Sequence, residues 1–321
     1  MTKLRFDNAI WSLPLLFSED IFAISFLDTL KYAKLDYKFE LYGCPVCAWN
    51  AGITSFLSSN DIGFFERTLE LFRLKNVVPV ISFTKHNLNN IDLEDKFCND
   101  LLELAMNYES NFVISSDKLY KHIKKKFPTA YCISSPTKPI FDTDKDKEFS
   151  YYQNLLKSYD RVILRPEFVK NFKGFIEGIS DLSRVEIVVN STCLPYCKNA
   201  KEEIKYFESL TISDEPKEYR CVKDYCYPLN LNLPLFMSND EIKYFYNMGV
   251  RHFRILPTML EKNVSDTILF DICNYIFDDN TNKSLIFNNA LKNLESVNDF
   301  YSSEIIKNSK IQNIRHQRNL F

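Results

Sequence analysis

Short runs of apolar residues alternate with longer amphipathic runs along the chain. The runs KLRF (3–6), YKFELY (37–42), VVPVISF (77–83), FVISS (112–116), AYCISS (130–135), RVILRP (161–166), VEIVVN (185–190) and HFRILP (252–257) predict strands. Several are apolar at successive positions, the pattern of strands covered on both faces in a parallel sheet. Between them the period lengthens to that of a helix. Ser18 is placed to cap a helix with Ile21, Phe22, Phe26, Leu27 and Leu30 on one side, and Asn60 a second with Phe64, Phe65, Leu69 and Phe72. Further helices are predicted at about 94–108, 117–126, 148–159 and 167–180. Another opens at Ser238–Asn239 in SNDEIKYFYNMG, with Gly249 as the residue that closes it.

Eight strand–helix alternations predict a (β/α)8 barrel. The competing architecture, an open doubly wound sheet, normally begins with a Gly-rich turn. This chain has only six glycines, none at GxGxxG or Walker spacing. The expected organisation is a barrel over 1–280, a cysteine-bearing insertion at about 193–236, and a helical extension over 281–321. Chemistry in such a barrel is expected at the C-terminal ends of the strands and in the loops that follow them.

Composition narrows the classes. A chain of 321 residues, 45% hydrophobic, can bury a sizeable core, and 40 basic against 42 acidic residues argue against a general nucleic-acid binder. No apolar run approaches the roughly 18–20 residues that span a bilayer. The stretch AIWSLPLLF is interrupted by Pro14 and followed by Glu19 and Asp20, unlike a signal-peptide cleavage site. A cytoplasmic location without a membrane span is therefore expected. Thiols stay reduced there, so clustered cysteines point to metal or redox chemistry.

Of the nine cysteines, Cys193, Cys197, Cys221 and Cys226 fall within residues 190–226, and Cys44 and Cys47 lie in YGCPVC. On a barrel these six follow the second and seventh strands and so share one rim. Thiolates select Zn, Cu(I) or iron–sulfur. The Cys-x3-Cys and Cys-x4-Cys spacings are looser than those of common zinc ribbons, and the segment holds no histidine. CPVC also has the spacing of a thiol–disulfide pair, but no clear helix follows it to lower a thiol pKa. Cys98, Cys132 and Cys273 read as small apolar core residues.

Among the four histidines no pair stands at i, i+4, which excludes a zincin motif. His86, just past the third strand, is a candidate general base or hydrogen-bond donor, or an exposed loop histidine. Arg165 and Arg254 are candidates to hold an anion or to pair structurally. Asp117 and Ser134–Ser135 end strands and could simply cap the next helices. Asp142, Asp144 and Asp146, set among lysines, read as a solvated turn, and the basic KNSKIQNIRHQRNLF as a solvated terminal helix.

VVNSTCLPYC resembles the strand–Asn–x–x–Cys–x–x–x–Cys element of the U-thirty-two peptidase-like (β/α)8 family. SNDEIKYFYNMGVRHFRI is similar to the segment that follows it in that family, through Glu241, Ile242, Gly249, Val250 and Phe253. YGCPVC resembles the loop after the family's second strand, where cluster-bearing members carry a cysteine four residues past a glycine, here Cys47 after Gly43. The resemblance spans about 37–257 in short segments. It implies a [4Fe–4S] cluster held by Cys47, Cys193, Cys197 and one of Cys221 or Cys226, as in members that act in oxygen-independent hydroxylation. Ser191 stands where an acidic residue often follows the Asn, and the collagenase-like signature is missing, so the resemblance does not carry peptidase activity.

The expectation is an iron–sulfur redox enzyme, or a subunit of one, modifying a small molecule or a nucleic-acid base, with His86 and Arg165 as polar contacts. The alternatives are a peptidase-like hydrolase or lyase with a structural zinc, and a non-catalytic barrel that needs a heterologous protein subunit.

Overall fold

The computed structural model describes residues 3–17, 20–51, 61–144, 147–171, 173–191, 195–209, 235–257, 264–284, 286 and 288–289. It shows a (β/α)8 barrel. The strands β1 (Ile10–Leu13), β2 (Lys38–Gly43), β3 (Val78–Phe83), β4 (Asn111–Ile114), β5 (Cys132–Ser134), β6 (Arg161–Leu164), β7 (Val185–Val188) and β8 (His252–Arg254) pair in parallel in sequence order. The sheet closes where β1 pairs with β8, Trp11 opposite Phe253.

Helices fill the connections. The first are α1 (Asp20–Tyr32), α2 (Ile62–Leu74), α3 (Asn90–Leu93), α4 (Lys96–Asn107) and α5 (Asp117–Lys126). Two helices, α6 (Lys138–Asp142) and α7 (Glu148–Ser158), join β5 to β6. Two more, α8 (Pro166–Asn171) and α9 (Lys173–Glu177), follow β6. Then come α10 (Ala200–Ser209), α11 (Asn239–Met248) and α12 (Val264–Tyr275). Local chemistry sets several ends. Asn89 and Ser238 each form a capping box with the carboxylate three residues on. Gly249 closes α11 at φ 119°, a left-handed conformation that costs glycine little.

The first strand is not KLRF. Leu4 makes an isolated antiparallel bridge to Phe277, and the barrel strand is Ile10–Leu13, inside the apolar stretch that the sequence reading weighed as a signal segment. Trp11 and Leu13 point into the outer core, where full burial outweighs the pull of the more alternating KLRF.

Inside the barrel the side chains form layers two residues apart. Tyr42, Val80, Val113, Ile133, Ile163 and Val188 make an apolar layer, with Leu256 packed against it. One step toward the N-terminal end lie Glu40, Arg161, Glu186 and Arg254, all buried. One step toward the C-terminal end lie Ser82, Ser115, Ser135, Arg165 and Asn190, which floor the mouth. The apolar layer therefore separates a closed ionic layer from the rim where chemistry is expected. Arg254 belongs to the closed layer: its Nε is 2.5 Å from Glu186 Oε1, and its guanidinium stacks over the Tyr42 ring at 4.0 Å. It does not face the mouth.

Candidate functional site

Loops after β3, β4 and β5 bring one charged group together at the rim. His86 follows β3; its Nε2 lies 3.0 Å from Asp142 Oδ1, and its ring stacks on Phe141 with centroids 4.4 Å apart. Lys138, almost wholly buried in α6, sits 2.8 Å from both Asp142 and Asp117. Tyr151 donates its hydroxyl to Asp142 Oδ2 at 2.5 Å. Burial alone would raise the Asp142 pKa, but His86, Lys138 and Tyr151 outweigh it and hold the carboxyl below its usual range. The other ring nitrogen of His86, Nδ1, is buried and has no hydrogen-bond partner among the described residues. Asp142 is thus no solvated turn. The DxD spacing concealed its role, because the partners that fix it are His86 after β3, Lys138 at the start of α6 and Tyr151 of α7.

A second group stands at the end of β6. Arg165 pairs with Glu148 at 2.6 Å and Glu167 at 3.2 Å, and its guanidinium lies 5.6 Å from the Tyr196 ring centre. Tyr196 holds a left-handed φ of 52°, a strained conformation for a bulky residue. Burial raises the Glu167 pKa more than Arg165 lowers it. Two carboxylates already answer the Arg165 charge, so this residue suits holding them in place better than gripping a free anion.

In the connection after β7, α10 reaches over the mouth. Lys201 of α10 lies over the Phe141 ring at 5.6 Å, and Glu208 near the end of α10 accepts the His86 backbone N–H at 2.5 Å. β7 and β3 stand on opposite sides of an eight-stranded barrel, so α10 bridges it. At the same strand end, Asn190 donates to Leu256 O at 2.9 Å and to Asp271 Oδ2 at 2.8 Å, and accepts from the Leu256 N–H. Burial pushes the Asp271 carboxyl up to about 7, Asn190 offsetting only part of the shift.

Cys47 is enclosed beside Cys44, with 3.9 Å between sulfurs, and also contacts the Cys98 thiol in the first turn of α4. Cys98 is fully buried in the core, as expected of a small apolar residue, and lies beside Cys47 there. Burial by itself would raise the Cys47 pKa. The neighbouring Cys44 and Cys98 thiols and the backbone amides of the turn outweigh it and lower the pKa. The two neighbours move the other way, Cys44 chiefly through burial and Cys98 chiefly through its bond to Cys47. Gly43 makes room for the turn: a Cβ there would sit 1.9 Å from the Leu16 carbonyl oxygen.

Cys197 is half-buried beyond β7, and Cys193, Cys221 and Cys226 lie outside the described residues. Among the described residues no three His, Cys, Asp or Glu side chains are placed to hold a metal ion. The described part of the expected donor set, Cys47 and Cys197, thus does not by itself assemble a cluster or zinc site.

A cavity of about 360 Å³ opens on the outer wall, lined by Phe149, Lys157, Phe175, Asp181 and Arg184 among others. None of the rim groups borders it. Among the described residues no helix is long and apolar enough to cross a membrane. No protein-family model matches the chain, and no curated protein matches it.

Proposed function

We propose that the chain is an enzyme that moves a proton on a small molecule at the C-terminal mouth of the barrel. His86 is the proton carrier and Asp142 the group that orients it, with Arg165, Glu148 and Glu167 grouped on the β6 side. The observation that carries this reading is the His86 ring. One nitrogen is fixed on a carboxylate, and the other is buried with no partner among the described residues, an arrangement that costs stability unless a substrate supplies the partner. A carboxylate–imidazole pair with one free nitrogen is the usual form of a general base. The carboxylates of Asp117, Asp142, Glu148, Glu167 and Glu208 disfavour a polyanionic substrate and favour an uncharged or cationic one.

A second reading keeps the redox expectation, a [4Fe–4S]-dependent modification of a small molecule or nucleic-acid base. What supports it is that Cys47 and Cys197 both leave strand ends on the same rim as His86. Anaerobic purification followed by iron and zinc analysis tests it: about four irons per chain with broad visible absorption favours it, and a metal-free chain after reconstitution counts against it.

The test of the first reading is turnover in a metabolite extract, followed by mass spectrometry. Wild type should deplete one metabolite and form a related product. His86→Gln, with melting unchanged, should not. A product formed equally by both proteins would contradict the proposal.

A further inference from the structure

We propose that Cys44, Cys47 and Cys98 form a peroxide-responsive thiol site, with Cys47 the nucleophile and Cys44 and Cys98 alternative resolving thiols. The placement of the sulfurs carries this. Cys44 and Cys47 stand 3.9 Å apart across the CPVC turn, so a movement of about 2 Å brings them to disulfide length. Cys98 reaches the same sulfur from a separate element, the N-terminal turn of α4, where Asp95 caps the helix through the Cys98 N–H at 2.8 Å. Cys47 is thus the shared neighbour of two thiols. The turn that holds it is closed by the Asn50 N–H, which donates to the Cys47 carbonyl oxygen at 3.1 Å. Residues 44–51 form no helix, and α4 brings a helix N-terminus to Cys47 from elsewhere in the fold.

The chemistry closes without a cofactor. The Cys47 thiolate attacks one peroxide oxygen and the O–O bond breaks. The second oxygen leaves as hydroxide and takes a proton to become water, and Cys47 becomes a sulfenic acid. Cys44 or Cys98 then gives up its proton and attacks that sulfur. The S–O bond breaks, an S–S bond forms, and the hydroxide with the released proton makes a second water. Two thiols are oxidised and one peroxide is reduced. Closing the Cys44–Cys47 bond reshapes the turn after β2; closing Cys47–Cys98 ties that turn to α4.

The experiment treats the full chain with graded hydrogen peroxide, blocks remaining thiols with iodoacetamide, and maps tryptic peptides by mass. Peptide 39–67 carries Cys44 and Cys47, and peptide 97–118 carries Cys98. The expected first product is peptide 39–67 lighter by two hydrogens, or joined to 97–118, at doses that leave Cys132 and Cys273 alkylated. A Cys44→Ala/Cys98→Ala double variant should accumulate a dimedone adduct on Cys47, and each single variant should still form the remaining disulfide. Two results would overturn the proposal: peptides 39–67 and 97–118 staying reduced while other cysteines oxidise, or a double variant with no adduct on Cys47. A purified chain whose bound iron is lost on Cys47→Ala would also overturn it, by showing that sulfur to be a metal ligand. The wild-type map decides the matter even where a variant fails to fold.

Discussion

Arg161 on β6 reaches across the barrel to Glu40 on the opposite strand β2, with Nη2 2.6 Å from Glu40 Oε2. Its Nε lies 3.1 Å from Glu186 Oε2, and it also contacts His252. One guanidinium thus ties three strands beneath the apolar layer. Burial alone would raise the Glu186 pKa, but Arg254 and Arg161 hold that carboxyl down at about 2. Burial and the neighbouring Arg161 push His252 down to about 4, so it stays neutral there at pH 7.

Removing Arg161 leaves two buried carboxylates short of their counter-charge. Arg161→Met should cost about 3–5 kcal/mol in urea unfolding at neutral pH. A loss under about 1 kcal/mol would show that the ionic layer is solvated, not closed.

Gly43→Ala should be costly because the added carbon meets backbone, not a side chain that can turn away. A loss of about 2–4 kcal/mol is expected, together with faster alkylation of Cys44 and Cys47 as the turn is displaced. Unchanged melting and unchanged thiol reactivity would contradict the close packing of β2 against Leu16.

Asp271 gives a pH dependence of definite sign. Its folded pKa of about 7 lies above the ordinary aspartate value, so the folded state holds the proton more tightly than the unfolded chain. The contribution is fully present below about pH 4 and is lost as pH rises through about 7, by up to roughly 4 kcal/mol. Asp271→Asn should therefore gain on wild type between pH 5 and 8 in paired melts, where those pH values are an approximate window. Parallel curves for the two proteins would mean that Asp271 is ionised in the fold.

The barrel was legible because periodicity is a property of each segment by itself. Helices such as Asp117–Lys126 and Asn239–Met248 match their predicted spans closely, and the closed parallel sheet follows from the alternation. The first strand was misplaced because KLRF looks like a strand in isolation, and only the partners of Trp11 and Leu13 decide between them. The site was less legible for the same reason. His86 and Arg165 could be named from their positions after strands. Asp142 read only as part of a solvated turn, and Lys138 and Tyr151 carried no signal, since all three come from the two helices inserted between β5 and β6 and lie 52 to 65 residues from His86 in sequence. Cys98 was hidden by its setting in an amphipathic helix, where a cysteine facing inward looks like packing until the β2 turn is placed against it.

On the proposed function His86 carries the proton at the mouth and Asp142 only positions it. Once the metabolite screen supplies a substrate, steady-state kinetics of His86→Gln and Asp142→Asn measure this most directly. The expected result is a loss of about 10²–10⁴ in kcat for His86→Gln with KM nearly unchanged, and a smaller kcat loss for Asp142→Asn. A His86→Gln enzyme that keeps its kcat and only raises KM would contradict the account, because His86 would then bind the substrate without moving a proton.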